Sequence, residues 1–304
     1  SLSLQATLSS IRQYVNLHFG EPHFLDTNWL FSFDLFKYQY DFDDFMQGSN
    51  GASFTLGYQL TDDLQLSFTY ELAQVDFERR SRPEDSESGL TSSIKGLISL
   101  DTRDDRWLPT RGWWVYLSQE IADDWLFSEN EFSRTIFSAR YYHPLLWKVV
   151  AMARLEYGMV QPLGERRVPE FERFRVGGIQ SVRGFRRLSL APEVWRQGYH
   201  PEDPLVLVKE GGNEEVVANF ELIFPIFEQV GIQGVLFSDM GMAYHTDGTI
   251  LMDPERLWRG LRASWGFGFR WFSPIGPLRF EWGFPNNPLP GEDTHLFEFT
   301  IGNF

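Results

Sequence analysis

Gly112-Trp113-Trp114-Val115-Tyr116-Leu117-Ser118-Gln119-Glu120-Ile121 decides the fold, because it repeats with a period of two. Trp113, Val115, Leu117 and Ile121 share one face, and Trp114, Tyr116, Ser118 and Glu120 share the other. Successive side chains of a strand point to opposite faces, so this pattern predicts a strand with one apolar and one polar side. The same alternation recurs on both sides of it. Phe31, Phe33 and Leu35 alternate with Ser32 and Asp34. Val149, Ala151, Ala153 and Leu155 alternate with Lys148, Met152, Arg154 and Glu156. No long amphipathic helix can be read anywhere in the chain.

About fourteen such segments follow one another, most near ten residues, the length a tilted membrane strand needs. They begin near Ser1, Gln13, Asn28, Ala52, Leu64, Thr91, Gly112, Glu131, Lys148, Glu214, Gly231, Leu261, Pro277 and His295. Short turns are expected at Thr61-Asp62-Asp63, Pro144-Leu145-Leu146, Pro225-Ile226-Phe227-Glu228 and Ser273-Pro274-Ile275-Gly276. Longer polar loops are expected over 78–90, 122–130, 161–213 and 245–259. Short turns on one side and long loops on the other fit an all-β, transmembrane, antiparallel barrel of the outer-membrane type, its short side periplasmic. A soluble sandwich or propeller would not account for the loop asymmetry.

Composition agrees. Among 304 residues are 11 Trp and 28 Phe, an aromatic load suited to interfacial girdles. No apolar run approaches the roughly 18 residues of a spanning helix. The net charge of -15 offers no basic stripe for phosphates, so nucleic acid is not an expected partner. There is no cysteine and hence no disulfide framework. No signal peptide is legible, so an exported protein would be represented here in mature or truncated form.

The stretch 161–213 is too long for a plain connector, and it contains Val182-Arg183-Gly184-Phe185 behind Gly177-Gly178. Arginine is expensive near a bilayer, so Arg183 should point into a polar lumen and meet carboxylates there. Alternation puts Asn219 and Glu221 opposite Ala218, Phe220 and Leu222, and Asp239 opposite Ile232, Leu236 and Ser238. Both carboxylates are therefore expected in the lumen. Removing one member of such a buried charge network costs about 3–5 kcal/mol.

These segments resemble the BamA family of outer-membrane barrel assembly factors. The resemblance rests on Val182 to Phe185, on Asn219-Phe220-Glu221-Leu222-Ile223-Phe224-Pro225, on Ser238-Asp239-Met240-Gly241 and on Phe272-Ser273-Pro274-Ile275-Gly276-Pro277-Leu278, in that order. Leu100-Asp101-Thr102-Arg103 and Leu108-Pro109-Thr110-Arg111-Gly112 agree with it. It implies that 161–213 folds back into the lumen, with Arg183 on Glu221 and Asp239. It implies a barrel of about sixteen strands preceded by periplasmic POTRA domains. The chain would then be the barrel domain, 1–304, of a longer protein, lacking those domains and about two strands. Phe297, Phe299 and Ile301 resemble the family's C-terminal signal strand, which Gly302 would weaken, and Phe304 falls on the lumenal face.

The resemblance further implies folding and insertion of other barrels into the bacterial outer membrane without covalent chemistry, and without a cofactor or metal. The mechanism it implies is strand templating at a lateral seam and local thinning of the bilayer. Partners would be unfolded outer-membrane proteins, the surrounding lipid, and assembly lipoproteins reached through the POTRA domains. Other readings share the alternation: a passive porin, with Asp34, Arg154 and Glu156 lining its pore, and a TamA-like or two-partner secretion barrel. His18, His23, His143, His200, His245 and His295 sit in no nucleophile or metal motif, which disfavours an enzyme. Asp41-Phe42-Asp43-Asp44 lacks the spacing of a calcium loop and reads as solvated loop, as does Asp123-Asp124.

Overall fold

The computed structural model describes residues 1–8, 12–42, 45–80, 86–196, 205–246, 260–273 and 276–301. Fourteen antiparallel strands form one sheet in chain order. They are β1 (Leu2–Leu8), β2 (Arg12–Glu21), β3 (Trp29–Asp41), β4 (Phe45–Gln59), β5 (Leu64–Arg79), β6 (Glu87–Asp101), β7 (Gly112–Ala122), β8 (Phe132–Pro144) and β9 (Val150–Pro162). After the long loop come β12 (Glu214–Phe227), β13 (Ile232–Tyr244), β14 (Arg262–Ser273), β15 (Gly276–Pro285) and β16 (Leu296–Ile301). Two short strands, β10 (Glu193–Arg196) and β11 (Val206–Lys209), pair with each other inside that loop. The chain is a transmembrane antiparallel β-barrel, as the period of two implies, with β1 and β16 the edge strands of its sheet.

Alternation sorts the faces as expected. Leu117, Leu155, Phe220, Leu236, Phe267 and Phe299 are exposed on the outer surface, where lipid covers them. Aromatic rings ladder across β14, β15 and β16: Phe269 stacks on Phe280 at 4.8 Å, Phe280 meets Phe299 at 4.9 Å, and Trp282 meets Phe297 at 4.8 Å. Such cross-strand aromatic pairs pin the register of the terminal hairpin. Gly302 and Phe304 lie outside the described residues, as do Asp43 and Asp44.

The structure departs from the sequence reading in three places. First, β4, β5 and β6 run for 15, 16 and 15 residues, beginning earlier or ending later than the apolar alternation. At about 3.3 Å per residue and a tilt near 45°, they outrun the apolar band. Where they leave lipid the lipid-facing pattern is lost: at the end of β5 it inverts, Val75 and Phe77 being buried inside and Asp76 and Glu78 exposed outside, while Phe45 packs on Phe77 and beneath Arg175 of the long loop. Second, the turn placed at Pro225–Glu228 lies later, in a 3-10 turn at Glu228–Val230 closed by left-handed Gly231. Pro225 belongs to β12 and stands at a register shift, where its missing N–H costs no ladder bond. Third, the 161–213 stretch is not wholly irregular: β10 and β11 escape notice because four residues are too few to show a period.

Candidate functional site: a salt-bridged loop across the lumen

The loop between β9 and β12 meets the sheet at three levels. At its tip, Arg183 is 2% exposed although it belongs to a connector. Its Nε and Nη2 donate to the two carboxylate oxygens of Asp239, each at 2.6 Å, and its backbone N–H donates to the same side chain at 3.1 Å. Nη1 donates to Glu221 at 2.7 Å and to Glu281 at 3.1 Å. The guanidinium also lies 3.6 Å from the ring centre of Phe237. The two carboxylates read from alternation thus stand against Arg183, one on β12 and one on β13.

Sequence reasoning missed the rest of this cluster. Arg270 on β14 donates to Glu221 at 2.7 and 2.9 Å and to Glu281 at 3.0 Å. Arg279 on β15 holds Glu281 with two bonds of 2.9 Å. Arg270 and Arg279 are direct cross-strand partners, a repulsive pairing unless anions lie between them, and Glu281 and Glu221 supply those anions. Asn219, opposite Asp239 in the ladder, donates to Asp239 at 2.8 Å and to the loop carbonyl of Ser181 at 2.6 Å. Three arginines and three carboxylates therefore balance in a region closed to water. The signal was present in the parity of Arg270, Arg279 and Glu281, but contact needs the register of four strands.

Two glycines allow the approach. Gly184 has φ +86, a left-handed value that costs a side-chain-bearing residue about 1 kcal/mol or more. A Cβ on Gly283 of β15 would sit 2.3 Å from the Gly184 nitrogen. Backbone therefore lies on backbone here, and only glycine on both sides lets Arg183 reach the wall.

Val182 and Phe185 point away from the charges. With Val168, Phe174, Val176 and Leu190 of the loop they form an apolar cluster against Phe132, Val160, Val217 and Ala243 of the wall. Each large side chain buried in this way contributes about 1.5–3 kcal/mol. A barrel lumen is usually polar, so these inward valines could not be read as core from β12 or β9 alone.

The base of the loop grips the opposite wall. Glu170 accepts from Arg79 of β5 at 3.2 Å, from Gly211 N–H at 2.7 Å and from Arg175, while its own N–H donates to Glu87 of β6 at 2.7 Å. Arg134 of β8 bridges Glu120 of β7, at 3.2 Å, and Glu172 of the loop. Near the tip, Ile179 N–H donates to Glu298 of β16 at 2.8 Å. Phe297, Phe299 and Ile301 face outward on that last strand. Among the described residues, no group of three or more His, Asp and Glu side chains has a metal-binding arrangement. Asp41 is engaged by Arg80.

A family model described as the Omp85 superfamily domain matches residues 1–304. The chain is 28% identical to outer membrane protein assembly factor BamA of Nitratidesulfovibrio vulgaris, over 99% of this chain and 37% of that one. Among solved structures, BamA from Haemophilus ducreyi lacking POTRA domains 1-3 superposes with a TM-score of 0.83 at 22% identity, covering 99% of this chain and 63% of that one. CdiB from Acinetobacter baumannii superposes with a TM-score of 0.60 at 13% identity, over 95% and 49%. At those identities the two structures speak to the fold alone. The chain spans little more than a third of the length of the curated BamA relative.

Proposed function

Because the chain belongs to the Omp85 superfamily, we propose that it is the membrane-embedded part of an assembly factor that folds and inserts other β-barrel proteins. Its place is the bacterial outer membrane. The observation that carries the reading is the occupied lumen: a loop buried on both walls suits a braced scaffold better than an open conduit. That same observation weighs against the passive porin.

The physical task of such a factor is to hide backbone polar groups. An incoming strand in hydrocarbon carries unpaired N–H and C=O groups that cost several kcal/mol each. β16, at one edge of the sheet and paired there with β15, is the strand that would template its partner by β-augmentation. A short apolar band beside that edge would thin the bilayer and lower the barrier to insertion. Unfolded outer-membrane chains are the proposed clients. Periplasmic POTRA domains of the longer protein, and lipoproteins bound to them, would deliver those clients. In this scheme Arg183, Glu221 and Asp239 carry no chemistry; they seat the loop, and the loop braces the wall.

The test is depletion of the full-length parent in its native cell, with outer-membrane proteins quantified by mass spectrometry. A broad fall in unrelated barrels, restored by the intact gene but not by its Arg183→Glu form, is expected. Unchanged barrel levels with loss of a single exported protein would instead favour a secretion barrel of the CdiB kind.

A further inference from the structure

A cavity of about 360 Å³ lies in the lumen beside the short turns, below the loop tip. Its lining is basic in a chain of net charge -15: Arg103, Arg106, Arg140, Lys148 and Arg154 surround it, beyond the arginines of the buried cluster. Most of these have partners. Arg103 is held by Asp101 at 2.8 and 2.9 Å, Lys148 by Glu228 at 2.7 Å, and Arg154 by Glu156 at 2.8 Å.

Arg140 differs. It is the direct cross-strand neighbour of Arg154 in the β8–β9 ladder. Like charges placed directly opposite destabilise a sheet. In the buried cluster the equivalent arginine pair is bridged by Glu281; here no carboxylate ion-pairs with Arg140 among the described residues. The buried Nε atoms of both Arg140 and Arg154 lack a hydrogen-bond partner. Arg140 is steadied from the side by the Trp114 ring, whose centre lies 4.8 Å from its guanidinium and 4.9 Å from that of Arg103, and by the neighbouring Tyr142 hydroxyl. A buried donor without a partner is rare and costly, and guanidinium donors in this setting match a bidentate oxyanion.

We propose that this cavity binds a carboxylate-bearing peptide segment entering from the short-turn side, with Arg140 and Arg154 as the anion clamp. The apolar walls favour a peptide over a bare anion: Trp107, Met152 and Ile223 line the same space and would take the side chains flanking the carboxylate. The cavity's place in the lumen favours a peptide over a lipid, because headgroups meet the outside of the wall.

The experiment uses the whole chain in nanodiscs and a fluorescein-labelled peptide of alternating glutamate and phenylalanine, read by anisotropy. A peptide with lysine in place of glutamate and inorganic phosphate are run beside it. The acidic peptide should bind and the basic one should not, and phosphate should compete. Arg140→Gln should weaken binding by about tenfold or more, as expected for losing a charged hydrogen-bond donor. The same variant should melt at an unchanged or higher temperature, since it relieves a repulsion; a merely structural arginine would lower it. Arg106→Gln, on an exposed turn, should weaken binding a few-fold without touching the fold. Equal binding of both peptides, or an anisotropy curve unmoved by Arg140→Gln, would overturn the proposal. Phosphate binding without peptide binding would overturn it as well, leaving a small-anion site.

Discussion

Replacing Arg183 with alanine should cost unevenly across its three partners. Glu221 would keep two bonds from Arg270, and Glu281 would keep Arg270 and Arg279. Asp239, fully buried, would keep only Asn219 and one backbone N–H. The penalty is therefore that of one stranded carboxylate, about 3–5 kcal/mol, or roughly two to three and a half decades in the unfolding equilibrium. Urea unfolding in lipid vesicles, followed by tryptophan fluorescence and by the gel shift of the folded barrel, measures it. The double variant Arg183→Ala, Asp239→Asn removes the stranded charge and should recover about 2 kcal/mol of that loss. Strict additivity of the two single changes would refute the reasoning, as would a loss below about 1 kcal/mol for Arg183→Ala. A charge swap belongs at position 239 for the same reason: an arginine at 221 would face Arg270 and leave it Glu281 alone, already shared with Arg279, so Arg183→Glu with Glu221→Arg should not recover fully.

Other outcomes are expected. Gly283→Ala should lift the loop off β15 and cost about 1–3 kcal/mol by overpacking, seen as faster proteolysis within 163–213 while the barrel still migrates as folded. Glu170→Ala should leave Arg79 buried with fewer partners and loosen the base of the loop, raising amide exchange at Gly211 and Phe174 without moving the tip. In the turn between β6 and β7, burial is the largest single influence on Asp104 and opposes its charge, but donors from Thr110, Arg111 and Asp105 together outweigh it and hold the carboxyl at about 2. A depressed folded value means the turn's stabilisation is whole above the unfolded value near 4 and is lost as pH falls towards 2. Protection of the Thr110 and Arg111 amides, corrected for intrinsic exchange, should fade in that window and be weak at every pH in Asp104→Ala.

The barrel was legible because lipid imposes one rule on every strand: Trp113, Leu117, Leu155 and Phe220 had to face outward, and parity then sent Glu221 and Asp239 inward. The carboxylates could be paired with Arg183 by resemblance, yet Glu281 and Arg270 could not. Arg270 sits in an aromatic run, Phe267 to Trp271, where its charge looks like an interruption until β14 is aligned with β12 and β15. Val182 and Phe185 told the same story from the other side. Their apolar character in a loop has no periodic signature, because the surface they bury against is the inner wall of a barrel built from residues far away in sequence. The long upper ends of β4 to β6 were hidden for a related reason: Gly48, Ser49 and Asn50 are strand by pairing alone, with neither face in lipid.

An empty hoop under side pressure yields anywhere on its circumference, whereas one with a spoke yields away from the point where the spoke is fastened. Here the fastening gathers Glu221, Asp239, Arg270 and Glu281 from four neighbouring strands around a single guanidinium. Together with the grip of Glu170 and Glu172 on β5, β6 and β8, it ties down two arcs of the wall, and bending imposed by the bilayer is displaced to the strands between and beyond them. The compliance of the lipid-facing surface is thus set by a segment that never meets lipid. Slackening Arg183 would make the wall not merely weaker but more evenly deformable.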